Sequence, residues 1–324
     1  MNNIKKIGLT ALAGSLVATS AFAGELTASG SASMSIKNTT DNNVLALDAT
    51  KGGDSSTGKA VSMANSVYLA GSGEMDNGLT VSMSFEMDQG AANNSSNGFD
   101  NHYVEVGSDA LGTLRLSGHG GSSAQSAIEV TAAGDLWNNT LGLTGSITNA
   151  EAGDNNLFYT LPEMMDGLAL TASMAPGDAA ATDTHMSYAA VYTGVEGLTL
   201  KAGQGEWGTK TAGGDTTTMS ASYAFGSFTV SASESHSDSM AASTDVEVTS
   251  FQLAYTVSDD ISITYGEETF DKDASATDEE ISGFGVSYTT GGMTISGSMI
   301  SADGGAYVAG TETDKWSLTA AFAF

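Results

Sequence analysis

Apolar and small polar residues alternate along most of this chain. Leu79, Val81, Met83, Phe85 and Met87 occupy every second position, as do Phe251, Leu253, Tyr255 and Val257. The same period runs through Leu168/Leu170/Ala172/Met174, Met219/Ala221/Tyr223/Phe225 and Met293/Ile295/Gly297/Met299. A period of two is the repeat of a β-strand, whose successive side chains leave opposite faces. The intervening positions are mostly Ser, Thr, Gly and Ala. A soluble sandwich would oppose a Val- and Ile-rich face with a charged one. A small, neutral second face suits a water-filled interior behind an apolar outer wall. The final stretch fits that wall, with Trp316, Leu318, Ala320, Phe322 and Phe324 on one face. Ser317, Thr319, Ala321 and Ala323 occupy the other.

Turn signals divide the pattern into hairpins. Short Asp/Asn/Gly turns stand at Met75–Gly78, Asp109–Gly112, Met164–Gly167 and Gly194–Gly197. Others stand at Phe225–Ser227, Ser258–Asp260 and Thr290–Gly292. Each separates two alternating runs, which is a hairpin signature. Seven such turns join fourteen strands, and Glu25–Lys37 and Lys315–Phe324 bring the total to sixteen. The predicted fold is all-β: a transmembrane antiparallel β-barrel with short periplasmic turns and long extracellular loops. An even count lets the last strand close antiparallel on the first and leaves no edge. Tyr223, Phe225, Phe228, Tyr255 and Tyr288 lie beside the short turns, where an interfacial aromatic belt belongs. Asn65 interrupts the apolar face of strand two, either because it faces another subunit or because the register is off by one.

One interval is irregular. Turn centres recur every 30–34 residues, but 55 separate those near 110 and 165. Strand five is expected at Thr113–Gly118 and strand six at Asn155–Leu161, which leaves a long connection over residues 119–154. Connections of that length are uncommon unless functional.

Residues 1–23 have the form of an export signal. Lys5 and Lys6 precede an apolar run, and Ala21-Phe22-Ala23 supplies a small-x-small cleavage pattern. A single barrel domain is expected over 24–324. The chain has no cysteine, which excludes thiol chemistry, and only two prolines, which suits paired strands. Acidic residues number 38 against 10 basic, a formal charge of -28. Without Lys5 and Lys6 the balance is 8 against 38, or -30. Nucleic acid is excluded as a partner on that balance.

Three stretches carry a family resemblance: Gly112-Thr113-Leu114-Arg115-Leu116-Ser117-Gly118, Asp154–Pro162, and the closing Phe324. In this order and spacing the chain resembles the general bacterial porins, the trimeric sixteen-stranded outer-membrane channels. The resemblance implies a homotrimer in outer-membrane lipid and passive diffusion of small hydrophilic solutes and cations. It also implies that residues 119–154 fold into the lumen as a constriction. In that family a basic residue commonly closes the strand-five motif. Here Gly118 and His119 stand there, and Arg115 is the sole arginine.

The candidate constriction residues are Glu129, Asp135, Arg115 and His119, with Thr113, Ser117 and Lys201 as pore lining. Carboxylates in a confined pore favour cations. Arg115 either supplies fixed positive charge to the lumen or pairs structurally with a carboxylate of the long loop. Asp271, Asp273, Asp278, Glu279 and Glu280 form an acidic stretch that opens like a calcium loop. It departs from that pattern at Ala276 and Ser282, so no cofactor is expected beyond loosely held divalent cations. Two other classes remain open: an exported β-rich structural or adhesive protein, and a barrel enzyme using a histidine near its mouth.

Overall fold

A computed structural model describes residues 26–41, 55–88, 99–128, 131–134, 147–177, 183–209, 212–241 and 244–324. The expected leader, Glu129 and Asp135 lie outside the described residues. Sixteen strands form one closed antiparallel barrel. They are β1 (Leu26–Asp41), β2 (Ser55–Glu74), β3 (Thr80–Asp88), β4 (His102–Ser108), β5 (Gly112–His119) and β6 (Asn156–Thr160). Next come β7 (Leu168–Ala175), β8 (His185–Val195), β9 (Leu198–Thr209), β10 (Ala212–Phe225) and β11 (Phe228–Ser239). The wall ends with β12 (Val246–Ser258), β13 (Ile261–Lys272), β14 (Glu279–Thr290), β15 (Met293–Asp303) and β16 (Glu312–Ala323). Each strand pairs with its sequence neighbours, and β16 closes on β1.

The closure is tied at one end by Phe324. Its N–H donates to the Gly30 carbonyl at 2.9 Å, and the Gly30 N–H donates back at 2.7 Å. A Cβ on Gly30 would stand 2.7 Å from the Phe324 ring, so any larger residue there would push that ring aside. The short turns fall where the sequence puts them. At the β4–β5 turn Gly112 takes φ +73, and a Cβ there would strike the Thr160 carbonyl.

Register sorts the side chains into two faces. Met34, Met63, Met219, Phe251, Phe284 and Leu318 stand exposed on the outer wall. At the short-turn end Tyr223, Phe225, Phe228 and Tyr255 form a continuous aromatic row with centroids 6.0, 5.7 and 4.7 Å apart. Asn65 pairs with Ala32 between outward Met63 and Val67, so the register is unbroken and Asn65 is an outward polar residue. At the opposite end the outer face is acidic. Glu206, Asp215 and Asp238 lie directly opposite one another on β9, β10 and β11. Glu280, Asp303 and Glu312 do so on β14, β15 and β16.

The buried core lies inside the barrel, between the wall and the loops that enter it. Val248, Phe270, Ile281 and Ala302 form one cluster with Ile147 and Tyr307. Ala124, Ile128 and Ala189 form another with Phe158 and Val191.

Candidate functional site

The β5–β6 connection enters through a narrow neck. Gly121 and Gly153 exchange backbone hydrogen bonds of 3.1 Å, and the Asn156 amide donates to the Ser122 carbonyl at 2.7 Å. Beyond the neck the chain follows the inner wall. Its backbone N–H groups donate to one wall hydroxyl after another. Ala124 reaches Ser173 at 2.8 Å and Gln125 reaches Ser187 at 2.9 Å. Ala132 reaches Ser233 at 2.7 Å and Ala133 reaches Ser250 at 2.8 Å. These hydroxyls belong to β7, β8, β11 and β12, so the loop crosses the barrel instead of protruding from it. The physical logic is the satisfaction of buried donors: a loop without its own ladder must borrow acceptors from the wall.

The returning limb is held as firmly. Glu151 N–H donates to the Glu206 carbonyl at 2.8 Å, and Gly208 N–H donates to Glu151 Oε2 at 3.3 Å. Below residues 131–134 lies a cavity of about 330 Å³ lined by Lys201, Thr199, Ser220, Ser222, Ser231 and Gln252.

Arg115 faces inward with Thr113 and Ser117, while Leu114 and Leu116 face out. Its Nη2 lies 2.9 Å from Glu105 Oε2, and its guanidinium stacks 4.1 Å over the Tyr103 ring. The group is on the lumenal face and its charge is matched, but not by the loop carboxylate expected from sequence. The matching carboxylate is on the neighbouring strand. His119 sits at the neck, where Nδ1 donates to the Asp100 carbonyl and Nε2 lies 3.7 Å from Asp154.

Alternation puts Lys201 inward on β9 and also gathers Lys37, Lys272 and Lys315, which the sequence reading left unsorted, on the inner faces of β1, β13 and β16. Positive charge in the lumen is therefore not confined to Arg115. Glu86, Glu105, Glu268 and Glu279 occupy inward positions as well. Glu86 accepts from Asn101 at 2.6 Å and from Tyr68 at 2.5 Å.

The acidic stretch does not converge. Glu279 turns inward and is fully buried, whereas Glu280 turns outward, because neighbours on a strand occupy opposite faces. Asp271 lies opposite Glu247 on the outer face. Among the described residues no group of three His, Cys, Asp or Glu side chains is placed to hold a metal ion. Nearby, Tyr307 reaches into the barrel from the β15–β16 loop, and its N–H donates to Glu279 Oε1 at 3.3 Å. Burial first, then Glu279, Asp271 and Asp278, push its phenol well above the usual range.

The residues that sequence reasoning passed over are Gln125 and the hydroxyls of Ser173, Ser187, Thr218, Ser233 and Ser250. Their one signal is position: all five hydroxyls fall on the inward period of their strands.

A closed antiparallel barrel with a loop pinned across its hydroxyl-lined interior has the architecture of a membrane channel. The chain belongs to the Gram-negative porin family, whose model matches residues 8–324. No curated protein matches it. Among solved structures, an anion-selective porin from Comamonas acidovorans superposes with a TM-score of 0.70 at 15% identity, covering 93% of this chain and 100% of that one. A trimer form of OmpT, an outer-membrane protein of Vibrio cholerae, gives 0.66 at 14%, covering 93% and 100%. OmpF of Salmonella typhi, in complex with daunomycin, gives 0.67 at 12%, covering 93% and 98%.

Proposed function

We propose that this porin is a passive outer-membrane diffusion channel for small hydrophilic solutes and ions, with a preference for cations. The observation that carries the reading is the loop pinned across an otherwise hydroxyl-lined lumen. Such a loop narrows the path without closing it, and hydroxyls replace part of a solute's hydration shell at little cost. Inward lysines roughly offset inward carboxylates, so cation preference is assigned to the mouth and to Glu129 and Asp135 on the loop. His119 is assigned to the neck of the constriction. The protein works as a homotrimer in outer-membrane lipid, and residues 1–23 are removed on export. Divalent cations gather loosely around the outward and loop carboxylates Asp271, Asp273, Asp278 and Glu280, but not around the buried, inward Glu279. The fold's likeness to an anion-selective channel at 15% identity does not bear on ion preference.

The test is single-channel recording in planar bilayers with asymmetric KCl. Discrete steps and a reversal potential on the cation side are expected. Absence of steps from a correctly folded barrel removes the channel reading, and a reversal potential at zero removes the preference. Replacing Glu129 by Gln and Asp135 by Asn together is expected to move that potential toward zero. Turnover of a substrate that is lost on His119→Ala would favour a barrel enzyme instead.

A further inference from the structure

Most bonds that hold the inner loop tie one limb to one strand. Gln125 is different. It is fully buried, and its backbone N–H donates to Ser187 on β8. Its side-chain Nε2 donates to Thr218 Oγ1 on β10 at 2.8 Å and to Asn149 Oδ1 at 3.3 Å. Its Oε1 accepts the Ala150 N–H at 2.9 Å. One residue therefore joins two wall strands and both limbs: its backbone holds β8, and its carboxamide ties β10 to the returning limb. Few side chains can do this, because it needs two donors and an acceptor on one planar group.

The wall is shaped to receive it. Between β8 and β10 runs β9, whose inward residues at this height are Gly203 and Gly205. A Cβ on Gly203 would stand 2.9 Å from Ile128 Cδ1 and 3.1 Å from Gln125 Cα. A Cβ on Gly205 would stand 2.6 Å from Ala150 Cβ. Two adjacent inward glycines thus form a recess, flanked by the hydroxyls of Ser187 and Thr218, into which both limbs sink.

We propose that Gln125 is the positioning residue that holds the constriction open, by locking both limbs into the β9 recess. The inference rests on the channel reading above. Its direction follows from geometry. The loop already lies against the wall, so a released limb has only the lumen to move into. Loss of the carboxamide leaves the Ala150 N–H buried without its acceptor, at a free-energy cost, whereas the Thr218 hydroxyl keeps its bond to Ser235 at 3.0 Å. Moving the limb toward lumenal water relieves that cost and obstructs the path.

Gln125→Leu, close in volume and without polar atoms, is the variant to record in KCl across planar bilayers. The expected result is flicker to lower-conductance substates and voltage closure at a smaller applied potential, in a barrel that still shows heat-modifiable mobility. A disulfide then separates loop motion from general loosening. The chain has no cysteine, and the Ala124 nitrogen lies 2.8 Å from Ser173 Oγ. Ala124→Cys with Ser173→Cys in the Gln125→Leu background is expected to suppress the flicker when oxidised and to restore it when reduced. A steady wild-type level in assembled Gln125→Leu overturns the proposal, as does flicker that the crosslink leaves unchanged. If Gln125→Leu does not assemble, Gln125→Met decides by the same readout. It keeps the unbranched length of the side chain but neither the donors to Thr218 and Asn149 nor the acceptor for Ala150. Channels absent from the wild type overturn the channel reading and this inference with it; steady wild-type and variant channels overturn only the role of Gln125.

Discussion

Arg115 and Glu105 stand 2.9 Å apart, with side chains 40% and 25% exposed. A pair this wet contributes little to stability, about 0–1 kcal/mol. Its consequence is electrical: the sole arginine adds almost no net field to the lumen while its partner is present. Arg115→Ser uncovers a carboxylate and is expected to shift the reversal potential further toward cation selectivity. Glu105→Gln uncovers a guanidinium and is expected to shift it the other way. The double variant is expected to return close to wild type, with barrel stability unchanged throughout. Shifts that add instead of cancelling would show that the two groups act on the ion path separately. Part of this residue-level picture was readable in advance. The period of β5 put Arg115 with Thr113 and Ser117, and that face is the lumenal one. The partner was not readable, because only the β4–β5 register brings Glu105 opposite Arg115.

At the scale of elements, the outer face of each strand was legible and the use made of its inner face was not. Outward apolar residues are selected by lipid at every second position, so they leave a period. Ser173, Ser187, Ser233 and Ser250 support a loop, but they look like any other hydroxyl of a wet interior. Gln125 was still harder to find. Its partners Ser187 and Thr218 are 62 and 93 residues away in sequence, and local pattern carries no such information. The β15–β16 loop was missed for a related reason. Ala306 and Tyr307 adopt φ of +56° and +57°, which local preference disfavours, and inward packing of the Tyr307 ring holds them there. The Tyr307 hydroxyl is buried without a hydrogen bond. Tyr307→Phe is therefore expected to leave the barrel as stable at pH 7, or more so. The phenol's folded pKa lies above its unfolded value of about 10. Below that value the phenol is neutral in both states and adds no pH dependence; above it only the unfolded chain ionises, so stability falls as pH rises toward the folded pKa. Tyr307→Phe should flatten this alkaline decline when the heat-modification midpoint is followed upward from pH 8. A variant that declines as steeply as wild type would assign the slope to other groups.

For the whole molecule, the surplus of acidic over basic residues is large; among the described residues it sits mainly in the turns, the connections and the outer rim, while inward charges of both signs are roughly matched. Exposed charges act over a Debye length, which falls from about 10 Å at 0.1 M salt to about 3 Å at 1 M. Cation preference is accordingly expected to fade over that range, as measured by reversal potentials at a fixed concentration ratio. A preference that survives 1 M salt would assign it to the loop carboxylates Glu129 and Asp135 alone and remove the contribution of the mouth. The outer wall carries a further consequence. On β10 the acidic row begins at Asp215 and the aromatic row at Tyr223 and Phe225. About ten residues at ~3.3 Å each, inclined by ~40°, span a height of ~25 Å. Carboxylates that face one another cannot enter hydrocarbon, and stacked aromatic rings favour its boundary. On β9 and β10, where no outward charged residue lies between them, the two rows thus act as a gauge for bilayer thickness, whereas on β11 and β13 outward Glu234 and Glu267 fall within the same span. Short-chain lipids should accept the refolding barrel readily, and longer chains should slow its insertion as the hydrocarbon slab outgrows the gap between its charged and aromatic borders.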